Sequence, residues 1–158
     1  MKDFLSKHKL AFTTSFFVFI IDQITKKIVR NNLLLGEKIE VVPGFFNIVY
    51  VQNKGIVFGL LNREGYHFYV FVFLSVVAIV FLLYLLKGPF GEKRIGRLGI
   101  GLILGGAVGN LFDKLTLGSV VDFLDFYVSS FHWPAFNIAD SAITCGVFLL
   151  ILTNLKKA

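Results

Sequence analysis

Apolar residues run along this chain in long blocks, not in the short alternations of a water-soluble domain. Phe68 to Leu86 holds nineteen residues without a charge, enough to cross about 30 Å of hydrocarbon as a helix. Leu10 to about Ile28, Leu98 to about Phe112 and Pro134 to Leu155 are three further apolar segments, each interrupted or shortened by polar residues. The pattern predicts four transmembrane helices. Residues 31–65 lie between the first two, and Glu37 to Phe58 is rich in Val, Ile, Phe and Tyr, with turn residues at Pro43-Gly44 and Asn53-Lys54-Gly55. That composition favours short strands. Phe45-Phe46 and Val49-Tyr50-Val51 put apolar side chains on both faces, so the segment suits the membrane surface better than open water. The expected fold is a mainly α membrane protein, with a small external β-rich cradle on the membrane surface. It forms a single integral domain over residues 1–158.

Met1 to Lys9 followed by an apolar run mimics a secretory signal peptide. No small-x-small cleavage site follows, and the run leads straight into Asp22-Gln23-Ile24-Thr25-Lys26, so it reads as an uncleaved first span. A 56% hydrophobic content, 19 Phe and a mean hydropathy of +0.76 fit the membrane class. The net charge of +6 does not indicate nucleic acid, because it is clustered. Lys2, Lys7 and Lys9 precede the first span; Lys87, Lys93, Arg94 and Arg97 lie between the second and third; Lys156 and Lys157 close the chain. Four spans place these groups on one side, accompanied only by Asp3 and Glu92. By the positive-inside rule both termini are cytoplasmic. The single Cys145 excludes a disulfide framework. His8, His67 and His132 show no metal-ligand spacing, so no metal site is expected.

Polar residues inside apolar segments carry the candidate chemistry, since an ionisable group at membrane depth is expensive. Asp22 and Lys26 are four apart, share a helix face and can pair. They form either a structural ion pair or a substrate contact, roughly 20 Å from Lys9 along a helix. Gly101, Gly105 and Gly109 repeat every fourth residue and lead to Asp113, with Gly106, Asn110 and Lys114 on the neighbouring row. Such a stripe is a helix-packing groove or a substrate cleft. Pro134 suits the first turn of a last helix. Asn137, Asp140, Ser141 and Thr144 would then share one face, with Asp140 roughly 9 Å inside the outer end. Counting brings Asp22, Asn110, Asp122 and Asp140 to similar depth near the outer surface. Two carboxylates in one low-dielectric site can share a proton, one acting as base on water and the other as acid. A buried polar network or an ion pathway is the other reading of the same aspartates.

Five separated motifs, spanning nearly the whole chain, resemble those of the lipoprotein signal peptidases (signal peptidase II), bacterial membrane aspartyl peptidases. Asp22-Gln-Ile-Thr25-Lys26 is similar to the family's D-x-x-[ST]-K, and Asn53-Lys-Gly55 followed by Phe58 to its N-x-G-x-x-F. Gly105 to Asp113 resembles G-x-x-G-N-x-x-D, and Val121-Asp122-Phe123 and Phe136-Asn137-Ile-Ala139-Asp140 resemble the two motifs with the catalytic aspartates. The resemblance implies an endopeptidase that removes prolipoprotein signal peptides on the amino side of a diacylglyceryl-modified cysteine, without a cofactor. It implies Asp122 and Asp140 as catalytic residues. Asp22, Lys26, Asn53, Gly55, Gly109, Asn110, Asp113, Lys114, Asn137 and Ala139 match the substrate-binding or supporting positions, whereas Asp125 matches none. The expected setting is the bacterial cytoplasmic membrane, with the site near its outer face, membrane lipid and prolipoprotein as partners, and a monomeric chain. Two departures stand out: Ile56-Val57 replaces the usual Ala-Ala, and Lys114 the usual Arg. A small transporter or proton pathway, with Asp22, Asp113 and Asp140 as relays, and a non-catalytic membrane scaffold are the competing classes.

Overall fold

The computed structural model describes residues 2–55 and 66–155; Ile56, Val57 and Phe58 of the second motif, the rest of 56–65, and Lys156 and Lys157 lie outside them. A short helix α1 (Lys2–Lys7) leads into α2 (Lys9–Asn32), followed by β1 (Lys38–Val42) and β2 (Phe46–Asn53). Helix α3 (Tyr66–Lys87), a four-residue α4 (Pro89–Glu92) and α5 (Arg94–Leu117) come next. Strands β3 (Val120–Val128) and β4 (Phe131–His132) precede the last helix, α6 (Ile138–Leu155).

Helix α5 is the central packing element, and its glycines explain why. A methyl group on Gly101 or Gly105 would stand 2.6 Å from the α2 carbonyl oxygens of Ala11 and Ser15 respectively. On the opposite flank Gly106 meets Ala139 and Ile143, and Gly99 meets Gly146, both on α6. The two glycine rows therefore bring two helix backbones close to α5, the close approach that small residues permit in membrane helices. Leu82 and Leu86 of α3 join Ala11, Ile100 and Leu104 in one apolar core. The rest of α3 turns Tyr69, Phe73 and Val80 outward.

Among the described residues, α3 and α5 are long and apolar enough to cross a membrane. Helix α2 is long enough but carries Asp22, Lys26, Lys27 and Arg30, and Ile138–Thr153 of α6 is a shorter apolar stretch. The bundle thus meets the four-helix expectation in number of long helices, while only two of them pass as spans on hydropathy.

The small sheet is antiparallel in the order β1-β2-β3-β4. Half of its strands come from residues 120–132, outside the 31–65 region that the sequence marks as β-rich. Gly118 makes this possible: at φ 72° it takes the left-handed conformation, its N–H closes on the Lys114 carbonyl, and the chain turns out of α5 into β3. Val120 to Phe123 are all buried, so β3 lacks the period-two alternation that marks a half-exposed strand. Val29 and Leu33 of α2 pack with Tyr50, Val121 and Phe123, locking the sheet onto the bundle.

Helix α6 starts four residues later than Pro134 suggests. The Phe136 backbone is occupied by the sheet, its N–H donating to Leu124 at 3.1 Å and its carbonyl accepting from Leu124 at 2.8 Å. Asp140 consequently lies in the first turn of α6, not roughly 9 Å down the helix.

Candidate active site

The site assembles in two layers where the C-terminal parts of α2 and α5 and the start of α6 meet β2 and β3. The deeper layer is built on Lys26. Its Nζ lies 2.8 Å from Asp22 Oδ2 and 3.0 Å from Asp113 Oδ2, and donates to Asn110 Oδ1 at 2.9 Å. All three ammonium protons are thereby matched to acceptors. Asp22 Oδ1 accepts the N–H of Ala139 at 3.0 Å, satisfying an otherwise orphan donor at the start of α6. Asp113 accepts the Val121 N–H at 3.1 Å, fixing the start of β3. Gln23 bridges both carboxylates at 3.0–3.1 Å. Gly109 is required here, since a β-carbon would sit 2.6 Å from Asp22 Oδ2. Side chains of Asp22, Lys26 and Asp113 are 0–3% exposed, so this is a closed brace under the cavity.

The upper layer holds Asp122 and Asp140. Asn137 and Asp140 form a reciprocal cap on α6: Asn137 Oδ1 accepts the Asp140 N–H at 2.9 Å, and Asp140 Oδ2 accepts the Asn137 N–H at 3.2 Å. Asn110 Nδ2 donates to Asp140 Oδ1 at 2.8 Å. Asn137 Nδ2 donates to Asp122 Oδ1 at 2.8 Å, and Asn53 Nδ2 to Asp122 Oδ2 at 3.0 Å. Asn137 also donates to Asn110 Oδ1 at 3.1 Å, so one amide chain runs from Asp122 to Asp140. Asn53 is held by its own turn, its Oδ1 accepting the Gly55 N–H at 2.8 Å, with Gly55 at φ 74°.

Asp122, Asp140, Asn53 and Asn110 share a cavity of about 390 Å³ with Val120 and Gly55. Helix α3 supplies the opposite wall with His67, Val70, Phe71 and Leu74. Burial pushes Asp122 up to about 6; the Asn53 hydrogen bond opposes the rise and the Asp140 charge adds to it. Asp140 instead lies at a helix N-terminus and accepts two N–H donors, from the Asn110 side chain and the Asn137 backbone. Two carboxylates placed in such different surroundings on one wall can divide the roles of acid and base.

All twelve residues singled out from the sequence fall within these two layers or at their edge, but not all face the cavity. Lys114 is at the edge: among the described residues it meets no carboxylate, its Nζ donating to the Lys54 carbonyl at 3.0 Å and lying 5.4 Å from the Phe71 ring centroid. Sequence reasoning missed Gln23, whose signal was a polar residue beside Asp22 in an apolar run. It also missed the α3 wall, which looks like plain lipid-facing scaffold. Asp125 stands apart, bonded to Asn47 at 2.8 Å and to His132 at 2.8 Å within the sheet.

The fold and site define a mostly helical membrane enzyme with a small antiparallel sheet. A solved bacterial membrane enzyme structure matches with a TM-score of 0.83 and 33% identity, covering 94% of each chain. The model of the Signal peptidase (SPase) II family matches residues 14–156. The lipoprotein signal peptidase of Syntrophotalea carbinolica is 43% identical over 150 residues, covering 95% of this chain and 93% of its own. That of Maridesulfovibrio salexigens is 42% identical over 155 residues, covering 97% and 99%. The chain belongs to the signal peptidase II family, and it is a peptidase.

Proposed function

We propose that this chain removes the signal peptides of bacterial prolipoproteins on the amino side of a diacylglyceryl-modified cysteine, as an aspartyl endopeptidase. The observation that carries the reading is Asp122 and Asp140 on one cavity wall, joined through Asn110 and Asn137 and faced by the apolar residues of α3. Asp140, held in place by its two donors, serves as the base and takes a proton from a water whose oxygen attacks the scissile carbonyl carbon. Asp122, holding the shared proton, gives it to the carbonyl oxygen. Asp140 then gives its proton to the leaving nitrogen while Asp122 takes one back from a hydroxyl of the diol, so that the C–N bond breaks, the carbonyl re-forms and the cysteine amine is released. The apolar wall excludes bulk water and offers a surface for the diacylglyceryl chains.

In the same reading α2, α3, α5 and α6 all span the bacterial cytoplasmic membrane. The charges that disqualify α2 on hydropathy support this placement, because Asp22 and Lys26 point inward and are spent on each other and on Asp113. Both termini and the Lys93-Arg94 turn face the cytoplasm, and the site lies near the outer face. Exposed Ile39, Val41, Phe45, Phe131 and Trp133 let the sheet rest on the membrane surface. The single domain, 1–158, acts as a monomer. No observation favours the transporter reading.

The test is cleavage of a prolipoprotein by the purified protein in bilayers, with and without the diacylglyceryl group. Cleavage of the lipidated form alone, at the bond before the cysteine, is expected. Failure to cleave it, or equal cleavage of both forms, would overturn the reading.

A further inference from the structure

We infer that Lys114 is a positioning residue that acts on Asp122 through the Asn53-Lys54-Gly55 turn. The proposal rests on the aspartyl reading above and extends it to a side chain that does not line the cavity. Lys114 is only 1% exposed, and an ammonium buried to that degree needs partners that outweigh lost hydration. Two are in place: the Lys54 carbonyl at 3.0 Å and the face of Phe71 at 5.4 Å. The first belongs to the middle residue of the turn whose outer residues, Asn53 and Gly55, are bonded to each other. The second belongs to the α3 wall of the cavity. Lys114 therefore ties α5 to both the turn and α3 from beneath.

The consequence for Asp122 follows from the geometry of Asn53. Its Oδ1 is fixed by Gly55 N–H, which leaves Nδ2 aimed at Asp122 Oδ2 at 3.0 Å. Rotation of the turn by even a fraction of an ångström moves both atoms together. Gly55 suits this turn through its backbone, which at φ 74° takes the left-handed conformation that glycine adopts without strain. A hydrogen bond from Asn53 favours the ionised form of Asp122. Releasing the turn thus makes Asp122 hold its proton to higher pH. The other groups acting on Asp122 are Asp140 from α6, Asn137 just before that helix and Lys26 from α2, with His67 of α3 on the same cavity; among the described residues none of them is hydrogen-bonded to the turn.

The test is the pH dependence of kcat/KM on a lipidated prolipoprotein, measured in bilayers for wild type, Lys114→Met, Lys114→Arg, Asn53→Ala and the Asn53→Ala/Lys114→Met double variant. Lys114→Met is expected to lower the maximum by about ten- to a hundredfold, the range set by losing a charged hydrogen bond. It should also move the alkaline limb upward, as Asn53→Ala does. In the Asn53→Ala background the Lys114 change should be nearly silent, because both act through one contact. Lys114→Arg, which can still donate to the Lys54 carbonyl, should keep the limb in place. If the Met variant does not fold, Lys114→Gln takes its place in the same cycle. An unshifted limb, or an equal loss with and without Asn53, would overturn the inference. Full activity of Asp122→Asn would instead overturn the aspartyl reading, whatever Lys114 does.

Discussion

Asp122 and Asp140 are chemically the same side chain, and their surroundings make them different. Asp140 sits in the first turn of a helix and accepts two N–H groups. Asp122 is buried on a strand and pushed up to about 6, against about 4 for an ordinary carboxyl. Between these values the unfolded chain releases its proton while the folded protein keeps it. Stability therefore falls as pH rises through this window, and above about pH 6 the loss is complete. Asn cannot titrate, so the Tm of Asp122→Asn minus that of wild type should grow as pH rises from 4 to 7. A fixed offset from the mismatched donors of Asn53 and Asn137 is expected at all pH values. A difference that stays flat from pH 4 to 7 would contradict the raised value. At this scale the sequence was informative about residue types: Asp22, Lys26, Asn110, Asp113, Asp122, Asn137 and Asp140 stand out against apolar neighbours. It was silent on partners, as Lys114 shows, because a backbone carbonyl and a ring face leave no mark in a motif.

Among the elements, the helices were legible and the sheet was half legible. Blocks such as Phe68 to Leu86 announce themselves by length, and the Gly101-Gly105-Gly109 spacing announces a close helix neighbour. Strand β3 was missed because it is buried on both faces, and the start of α6 was set too early because Phe136 gives its backbone to the sheet. The glycine rows were open to two readings, groove or cleft. They pack against α2 and α6 along most of α5 and then reach Asp22 at Gly109. Gly109→Ala should push the Asp22 carboxylate away from Lys26 and the Ala139 N–H. It should lower Tm by several degrees and kcat/KM by at least about tenfold, on the scale of losing one charged hydrogen bond. Val108→Ala, one residue away at an exposed position, is the control with little effect. A Gly109→Ala protein with wild-type Tm and activity would show that the brace tolerates displacement.

For the whole molecule, the polar brace lies at the opposite end of the bundle from the basic residues around the starts of α2 and α5. That polarity is what the sequence conveys through its spacing of charges, although hydropathy alone passes only α3 and α5 as spans. The discrepancy has a physical origin: a window that counts charges cannot see that Asp22 and Lys26 cancel inside the protein. Cysteines placed at Lys93 and Lys54 test the orientation with an impermeant thiol reagent in intact cells, or in spheroplasts where an outer membrane intervenes. Labelling at 54 and protection at 93 are expected. Labelling at 93 from outside would reverse the orientation and change the number of spans.

The central claim is that Asp122 and Asp140 act as one unit, and the most direct measurement is processing of a lipidated prolipoprotein by purified single and double Asn variants. Asn keeps the size of each side chain and removes its charge and acid proton. Asp122→Asn and Asp140→Asn should each lose nearly all cleavage, on the order of a thousandfold or more, with substrate binding retained. The double variant should be little worse than either, as expected of residues that work together. Asp125→Asn, in the His132 cluster of the sheet, should cost far less. Substantial cleavage by either Asp122→Asn or Asp140→Asn would contradict the account.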